Sequence, residues 1–277
     1  MVAGRFAGVN RNTFPLELLR DAFLIAPDLV DLYSSAARDY LAGITISTDL
    51  FSKLAMPSTP ENVALIPMAG VLTKADICGG LGSRSLTNMV EAAAVDPAIS
   101  SIIIFSENCP GGQVDGTRTM AETIARVNKI KPVMGAISGM ACSAATWILT
   151  QCQEIFATSS TDLVGCIGVM ARMRNPKSVQ EGEADYITIY SDLSPDKNKE
   201  FNDPDKLRES YLNPVAKIFQ HDVLAGRGDR LQTAKENVLT GKTYIAGQAQ
   251  KAGLIDGILP IEKIISRSLF LSKIKKK

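Results

Sequence analysis

One histidine, His221, is all that this chain has in 277 residues, and it stands beside Gln220 and Asp222 in a stretch of helical apolar spacing, where it reads as a surface residue. A Ser-His-Asp hydrolase is therefore close to excluded by composition, because no second histidine exists to serve as its base. The five cysteines (Cys78, Cys109, Cys142, Cys152 and Cys166) contain no C-x-x-C pair, so they read as reduced thiols of a cytoplasmic protein, with no metal or cofactor expected. Neither sign of charge is in excess: 30 Lys and Arg against 29 Asp and Glu leave +1. Nothing in that balance argues for a nucleic-acid partner, and the terminal KIKKK is a solvated tail. The opening MVAGRFAGVNRNTF lacks the apolar run of about seven residues or more that a secretory signal needs. Pro132 to Gln153 carries no charge and is long enough to suggest a membrane span, yet Gly135, Ser138, Ser143, Thr146, Gln151 and Gln153 make it too polar for one.

What is present is ordinary for a soluble globular enzyme: 45% hydrophobic and 21% charged residues, in a chain long enough to bury a sizeable core. Helical spacing of Leu16, Leu19 and Phe23, then of Leu29, Leu32, Ala36, Tyr40 and Leu41, predicts a two-helix arm split at Pro27. With the Ser-, Thr- and Pro-rich connector that follows, residues 1–60 form an N-terminal helical extension and linker, and 61–277 the main domain. That domain opens on an apolar strand, Val63 to Leu72, and a glycine-rich loop, ADICGGLGSRS, read as flexible and substrate-side because it lacks both phosphate-cradle patterns. A helix with Leu86, Met89, Val90 and Ala93 inward ends at Asp96-Pro97. Strand Ser101 to Phe105, helix Val114 to Val127, strand Val133 to Ile137, a helix opening near Ser143 and strand Glu154 to Ala157 follow. Alternation at this spacing implies parallel β-α-β units, hence an α/β fold. Further on, Gly-Cys-Ile-Gly-Val reads as a strand start, Tyr186 to Tyr190 as a strand, Lys206 to Leu224 as an amphipathic helix broken at Pro214, and Pro260 to Leu271 as a last helix.

Two stretches carry the chemistry. In GMACSAAT, Ser143 heads a helix between Cys142 and Ala144, in the positive field of the helix N-terminus. Its small neighbours let a substrate backbone come close, which is a setting for a nucleophile. In SENCPGGQVDG, a strand runs into Pro110-Gly111-Gly112, whose unhindered amides suit an oxyanion. The Gly111 or Gly112 N–H, together with that of Ala144, would supply the hole. Cys142 reads as a small buried apolar residue, since no histidine can reach it.

CPGG, the small-residue Ser turn, GCIGV, a basic motif and GLID together resemble the signal peptide peptidase A / protein C peptidase family, over roughly residues 60 to 265. That resemblance implies a ClpP/crotonase-like spiral of β-α-β units and a serine endopeptidase of the soluble phage or prophage type. It implies protein or peptide substrates, capsid or scaffold proteins of a maturing phage head, and a homo-oligomer working without a membrane in the host cytoplasm or prohead. A signal-peptide-degrading peptidase and an inactive structural member of the family are the alternatives.

The base implied is a lysine, which serves when desolvation keeps it neutral. The family places it in a Ser-Pro-x-Lys-Asn segment, here SPDKN, which puts it at Lys197, with Lys199 open as the alternative. The chain departs from the family pattern at Cys109, where Ser is common before PGG, and at Cys166, which replaces a serine that would help orient the lysine amine; a thiol is the weaker hydrogen-bond partner.

Overall fold

The computed structural model describes residues 23–25, 62–76, 80–171, 203–232 and 237–275. Its elements in chain order begin with β1 (Phe23–Ile25), β2 (Val63–Ala69), α1 (Ser83–Val95), β3 (Ser101–Cys109), β4 (Gly111–Gln113), α2 (Thr117–Val127) and β5 (Val133–Cys142). There follow α3 (Ala144–Leu149), β6 (Glu154–Ala157), β7 (Leu163–Gly165), α4 (Pro204–Leu207) and α5 (Asn213–Arg227). The chain closes with β8 (Thr243–Ile245), α6 (Ala246–Ala252), β9 (Gly257–Ile258) and α7 (Ile261–Lys275).

β2, β3, β5, β6 and β9 form a parallel sheet in that order, so the β-α-β reading of the sequence describes the architecture. The alternation of a pleated strand sorts β3 between two cores. Ile102 and Ile104 face the larger one, shared with Leu86 and Val90 of α1 and Met120 and Ile124 of α2. Ile103 faces the smaller, with Met134, Phe156, and Ile264 and Leu271 of α7. Helices therefore cover both faces, as a near-continuous apolar strand such as SIIIF requires. The buried Ser101 and Ser268 hydroxyls meet at 2.9 Å and fix α7 against β3.

β5 is the strand on which the sheet divides. Its first half pairs with β6, from Met134↔Glu154 to Ile137↔Ala157, and its last residues pair with β7, from Met140↔Leu163 to Cys142↔Gly165. Between these halves the register against β3 shifts: Glu107 lies opposite Ser138 but Cys109 opposite Ala141, so β5 carries one extra residue. Gly139 sits at the shift with φ of 80°, and a Cβ there would lie 2.0 Å from Asn108 Oδ1. The Asp162 carboxylate braces the fork, accepting from Gly139 N–H at 2.8 Å and from the Thr158 and Ser159 N–H groups at 2.9 Å each.

Several elements differ from the sequence reading. The strands expected to stop at Phe105 and Ile137 run on to Cys109 and Cys142, because the polar and glycine residues that suggested turns are still paired in the sheet. Of the expected Gly-Cys-Ile-Gly-Val strand start only Gly165 is strand, as the last residue of β7, and Cys166 to Val169 follow it outside the sheet. Phe23–Ile25, placed on a helix by its spacing, is a strand paired antiparallel with β4; apolar periodicity carries no information about a distant sheet edge. The rest of the helical arm, the strand Tyr186 to Tyr190 and the SPDKN segment lie outside the described residues. At Pro214 the expected break is a π turn, Arg208–Leu212, joining α4 to α5: the proline has no N–H to donate and its ring displaces the carbonyl one turn back.

Candidate active site

Ser143 is positioned by the end of β5. Its N–H donates to the Gly165 carbonyl at 2.8 Å, one step past the last pair of the β5–β7 ladder, and its own carbonyl accepts from Trp147 N–H at 2.9 Å to open α3. Thr146 ties the turn together. Its hydroxyl lies 2.8 Å from the Ala141 carbonyl oxygen and 2.9 Å from that of Gly165, and it accepts from the Gly165 N–H at 3.1 Å. The sequence reading passed over Thr146; its signal was a β-branched polar residue in a run otherwise of small and apolar ones.

Between strand and helix the backbone of Ser143 takes φ 56°, ψ −115°, a conformation that L residues avoid at a cost of about 1–3 kcal/mol. Ser143 is only 1% exposed, and among the described residues its Oγ meets no hydrogen-bond partner. Buried hydroxyls are nearly always satisfied, so an orphan on a strained backbone marks a group held for something other than stability. The expected helix is there but short, six residues, and buried throughout.

Behind the turn, α3 is clamped by α5. Trp147 stacks on Phe219 with ring centroids 4.5 Å apart and 8° between planes, and its Nε1–H donates to Asp222 Oδ2 at 3.0 Å. The neighbouring His221 turns outward, its side chain 78% exposed, with Nδ1 3.2 Å from Asp222 Oδ1. The histidine is thus a surface residue, as its context suggested. Deeper in, the buried Arg227 guanidinium holds α5 to the β9 end of the sheet, donating to both Asp256 carboxylate oxygens at 2.9 and 3.1 Å; burial pushes its pKa down.

The paired glycines lie on β4, which packs against α3. Register carries the relationship: Cys109 is opposite Ala141, so Gly111 and Ser143 each stand two residues beyond that pair. Leu72 passes along the other side of β4, donating its N–H to the Gly111 carbonyl and accepting from Gln113 N–H, both at 2.8 Å. Its approach explains Gly112, where a Cβ would come within 1.8 Å of the Leu72 carbonyl oxygen. The Gly111 N–H lies against the Cys109 thiol; burial, the larger effect, pushes that thiol up to about 12, and the amide draws it down. Ala144 N–H precedes the first intrahelical bond of α3, that of Trp147. Cys166 follows directly on Gly165, with φ 56° and its N–H donating to the Lys242 carbonyl at 2.9 Å, so the residue that departs from the pattern does stand beside the Ser143 turn. Cys142 is buried. Lys197 and Lys199 lie outside the described residues. No cluster of metal-ligating side chains occurs among the described residues, and no helix among them is long and apolar enough to cross a membrane.

Comparison with known proteins agrees with the sequence motifs. Residues 125–275 match Peptidase family S49. The chain is 30% identical over 244 residues to Capsid assembly protease C of Escherichia phage lambda, covering 84% of this chain and 55% of that protein. It is 25% identical over 208 residues to Head-tail preconnector protein GP5 of Enterobacteria phage P21, covering 73% and 39%. It is 23% identical over 202 residues to Protease 4 of Salmonella typhi, covering 71% and 32%. The chain thus spans between about a third and just over half of the length of these relatives. Among solved structures, an enoyl-CoA hydratase/isomerase family member superposes with a TM-score of 0.45 at 16% identity, over 78% of this chain and 74% of that one. With the match extending over more than half of its residues, and the small-residue serine turn inside it, the chain belongs to peptidase family S49.

Proposed function

We propose that the chain is a serine endopeptidase with a Ser-Lys dyad that processes capsid or scaffold proteins during phage head maturation. The observation that carries the reading is Ser143 itself: a hydroxyl buried without a partner among the described residues, on a backbone held at φ 56°. In this reading Ser143 Oγ attacks the scissile carbonyl carbon, and a neutral lysine, Lys197 with Lys199 as its alternative, takes the hydroxyl proton. The tetrahedral oxyanion is held by the amides of Ala144 and of the Gly111-Gly112 pair, each a fixed dipole that needs no reorganisation as charge develops. The lysine then delivers the proton to the leaving amine, and water repeats the sequence on the acyl-enzyme. A lysine can do this at neutral pH only if desolvated, since its ordinary pKa is about 10.4.

Head proteins as substrates are supported by the two phage relatives, whose names place them in capsid assembly and at the head-tail connection. A homo-oligomer acting in the host cytoplasm or the prohead belongs to the same reading. The test is co-expression with phage capsid and scaffold proteins, followed by intact-mass spectrometry. New termini produced by the wild type and absent with Ser143→Ala support the reading. Identical head-protein masses with both chains contradict it.

A further inference from the structure

The strand β1 is paired along β4, the strand that carries the two glycines. Phe23, Leu24 and Ile25 pair antiparallel with Gln113, Gly112 and Gly111. Backbone polar groups of successive strand residues point to opposite sides, and Leu72 already takes the Gly111 carbonyl and the Gln113 N–H. The N–H and carbonyl of Gly112 are therefore the pair turned toward β1, with Leu24 as their partner. The Gly111 N–H is directed at the Cys109 thiol. Of the two glycine amides assigned to the oxyanion, the one free of its own strand's neighbours is thus engaged by the chain's N-terminal segment. Ser143, 1% exposed, is closed to a substrate carbonyl in the same state.

We propose that Phe23–Ile25 is an intramolecular occupant of the substrate-strand position, a segment that pairs with β4, takes up the Gly112 amide and leaves before a peptide is attacked. The inference rests on the reading of Ser143 as nucleophile and Gly112 as oxyanion donor. Adding an extended segment to a sheet edge is a general mode of peptide binding, in which main-chain hydrogen bonds supply affinity with little demand on sequence. A tethered segment in that mode competes with substrate at high effective concentration. Its three residues also make it a weak competitor, as a displaceable occupant must be: a short ladder is marginal by itself. Release opens the edge and the oxyanion position in one step.

The test uses the full chain and Leu24→Pro, which removes the N–H that β1 offers to the Gly112 carbonyl and puts a residue that sheet ladders exclude at the centre of the strand. Two readouts are taken: amide hydrogen exchange at Gly112 and Gln113 by NMR, and the rate at which a fluorophosphonate probe labels Ser143. The probe's phosphoryl oxygen needs the same oxyanion donors. Leu24→Pro is expected to speed exchange at Gly112, to leave Gln113 protected by its bond to Leu72, and to raise the labelling rate roughly tenfold, the scale of losing one strand hydrogen-bond pair. A synthetic peptide with the sequence of residues 20–28 should then slow labelling of Leu24→Pro more than that of the wild type. Unchanged exchange at Gly112 overturns the placement of β1. Faster exchange with unaltered labelling, or a peptide without effect on Leu24→Pro, overturns competition while leaving Ser143 as nucleophile. Faster exchange with no label on either protein overturns the nucleophile reading and the inference with it.

Discussion

Ser143 N–H donates to the Gly165 carbonyl at 2.8 Å, so the turn that carries the candidate nucleophile is fastened to the strand that runs into Cys166. The fastening is completed by Thr146, whose hydroxyl reaches the same carbonyl and that of Ala141. Thr146→Val keeps the shape and removes the hydroxyl, leaving the Gly165 N–H without its buried acceptor, at a cost of about 1–3 kcal/mol. Urea unfolding should show that loss, and fluorophosphonate labelling of Ser143 should slow. Thr146→Ser should recover most of both, and a Thr146→Val protein with wild-type stability and labelling would remove Thr146 from the account.

The positive φ of Ser143 makes a prediction for stability that is separate from activity. Glycine reaches φ 56° without the Cβ penalty, whereas alanine keeps it. Ser143→Gly should therefore unfold at a higher temperature than Ser143→Ala, by about 1 kcal/mol after glycine's extra chain entropy, although neither labels. Equal stability of the two variants would mean that the turn holds no strain.

Gly112 and Gly247 make a matched pair for a single methyl group. A Cβ on Gly112 would meet the Leu72 backbone at 1.8 Å, which only displacement of β4 could relieve, while one on Gly247 meets nothing within 4 Å. Gly112→Ala should lose labelling at Ser143 with a fall in stability of more than about 1 kcal/mol. Gly247→Ala, inside helix α6, should be neutral or slightly stabilising. Normal labelling of Gly112→Ala would show that β4 does not hold the oxyanion.

The thiols give a pH dependence. Burial pushes the Cys109 thiol from 9.0 up to about 12, and it pushes the Cys152 thiol up as well. Between those values the unfolded chain sheds protons that the folded chain keeps, so their contribution is complete below pH 9 and is lost as pH rises toward 12. The stability difference between wild type and Cys109→Ala should thus shrink as pH is raised from about 9 to 10.5. In the native protein at pH 8, iodoacetamide should reach the half-buried Cys166 and spare Cys109 and Cys152. Rapid alkylation of native Cys109 would contradict the burial.

Much of this was legible in the chain because local signals agreed with the tertiary result. Leu86, Val90 and Ala93 mark the inner face of α1, Asp96-Pro97 its end, and EIFA the strand β6. The serine turn and the PGG stretch were readable because small residues have few other reasons to cluster beside β-branched strands. What the chain concealed was long-range. Nothing local in GMAC says that β5 continues past Gly139 to exchange β6 for β7, because the cause is a register shift against β3 and a carboxylate, Asp162, from another loop. The strand Phe23–Ile25 was hidden for the same reason: its partner β4 lies far along the chain.

The measurement that bears most directly on the central claim is covalent labelling with a fluorophosphonate, mapped by peptide mass spectrometry, on wild type, Ser143→Ala, Lys197→Ala and Lys199→Ala. Such a probe reports an activated serine whatever its substrate. The account predicts label on Ser143 alone, abolished by Ser143→Ala and by one of the two lysine replacements and retained with the other, which names the base. A folded wild type that takes no label on Ser143, or takes it equally with either lysine replaced, contradicts the Ser-Lys dyad.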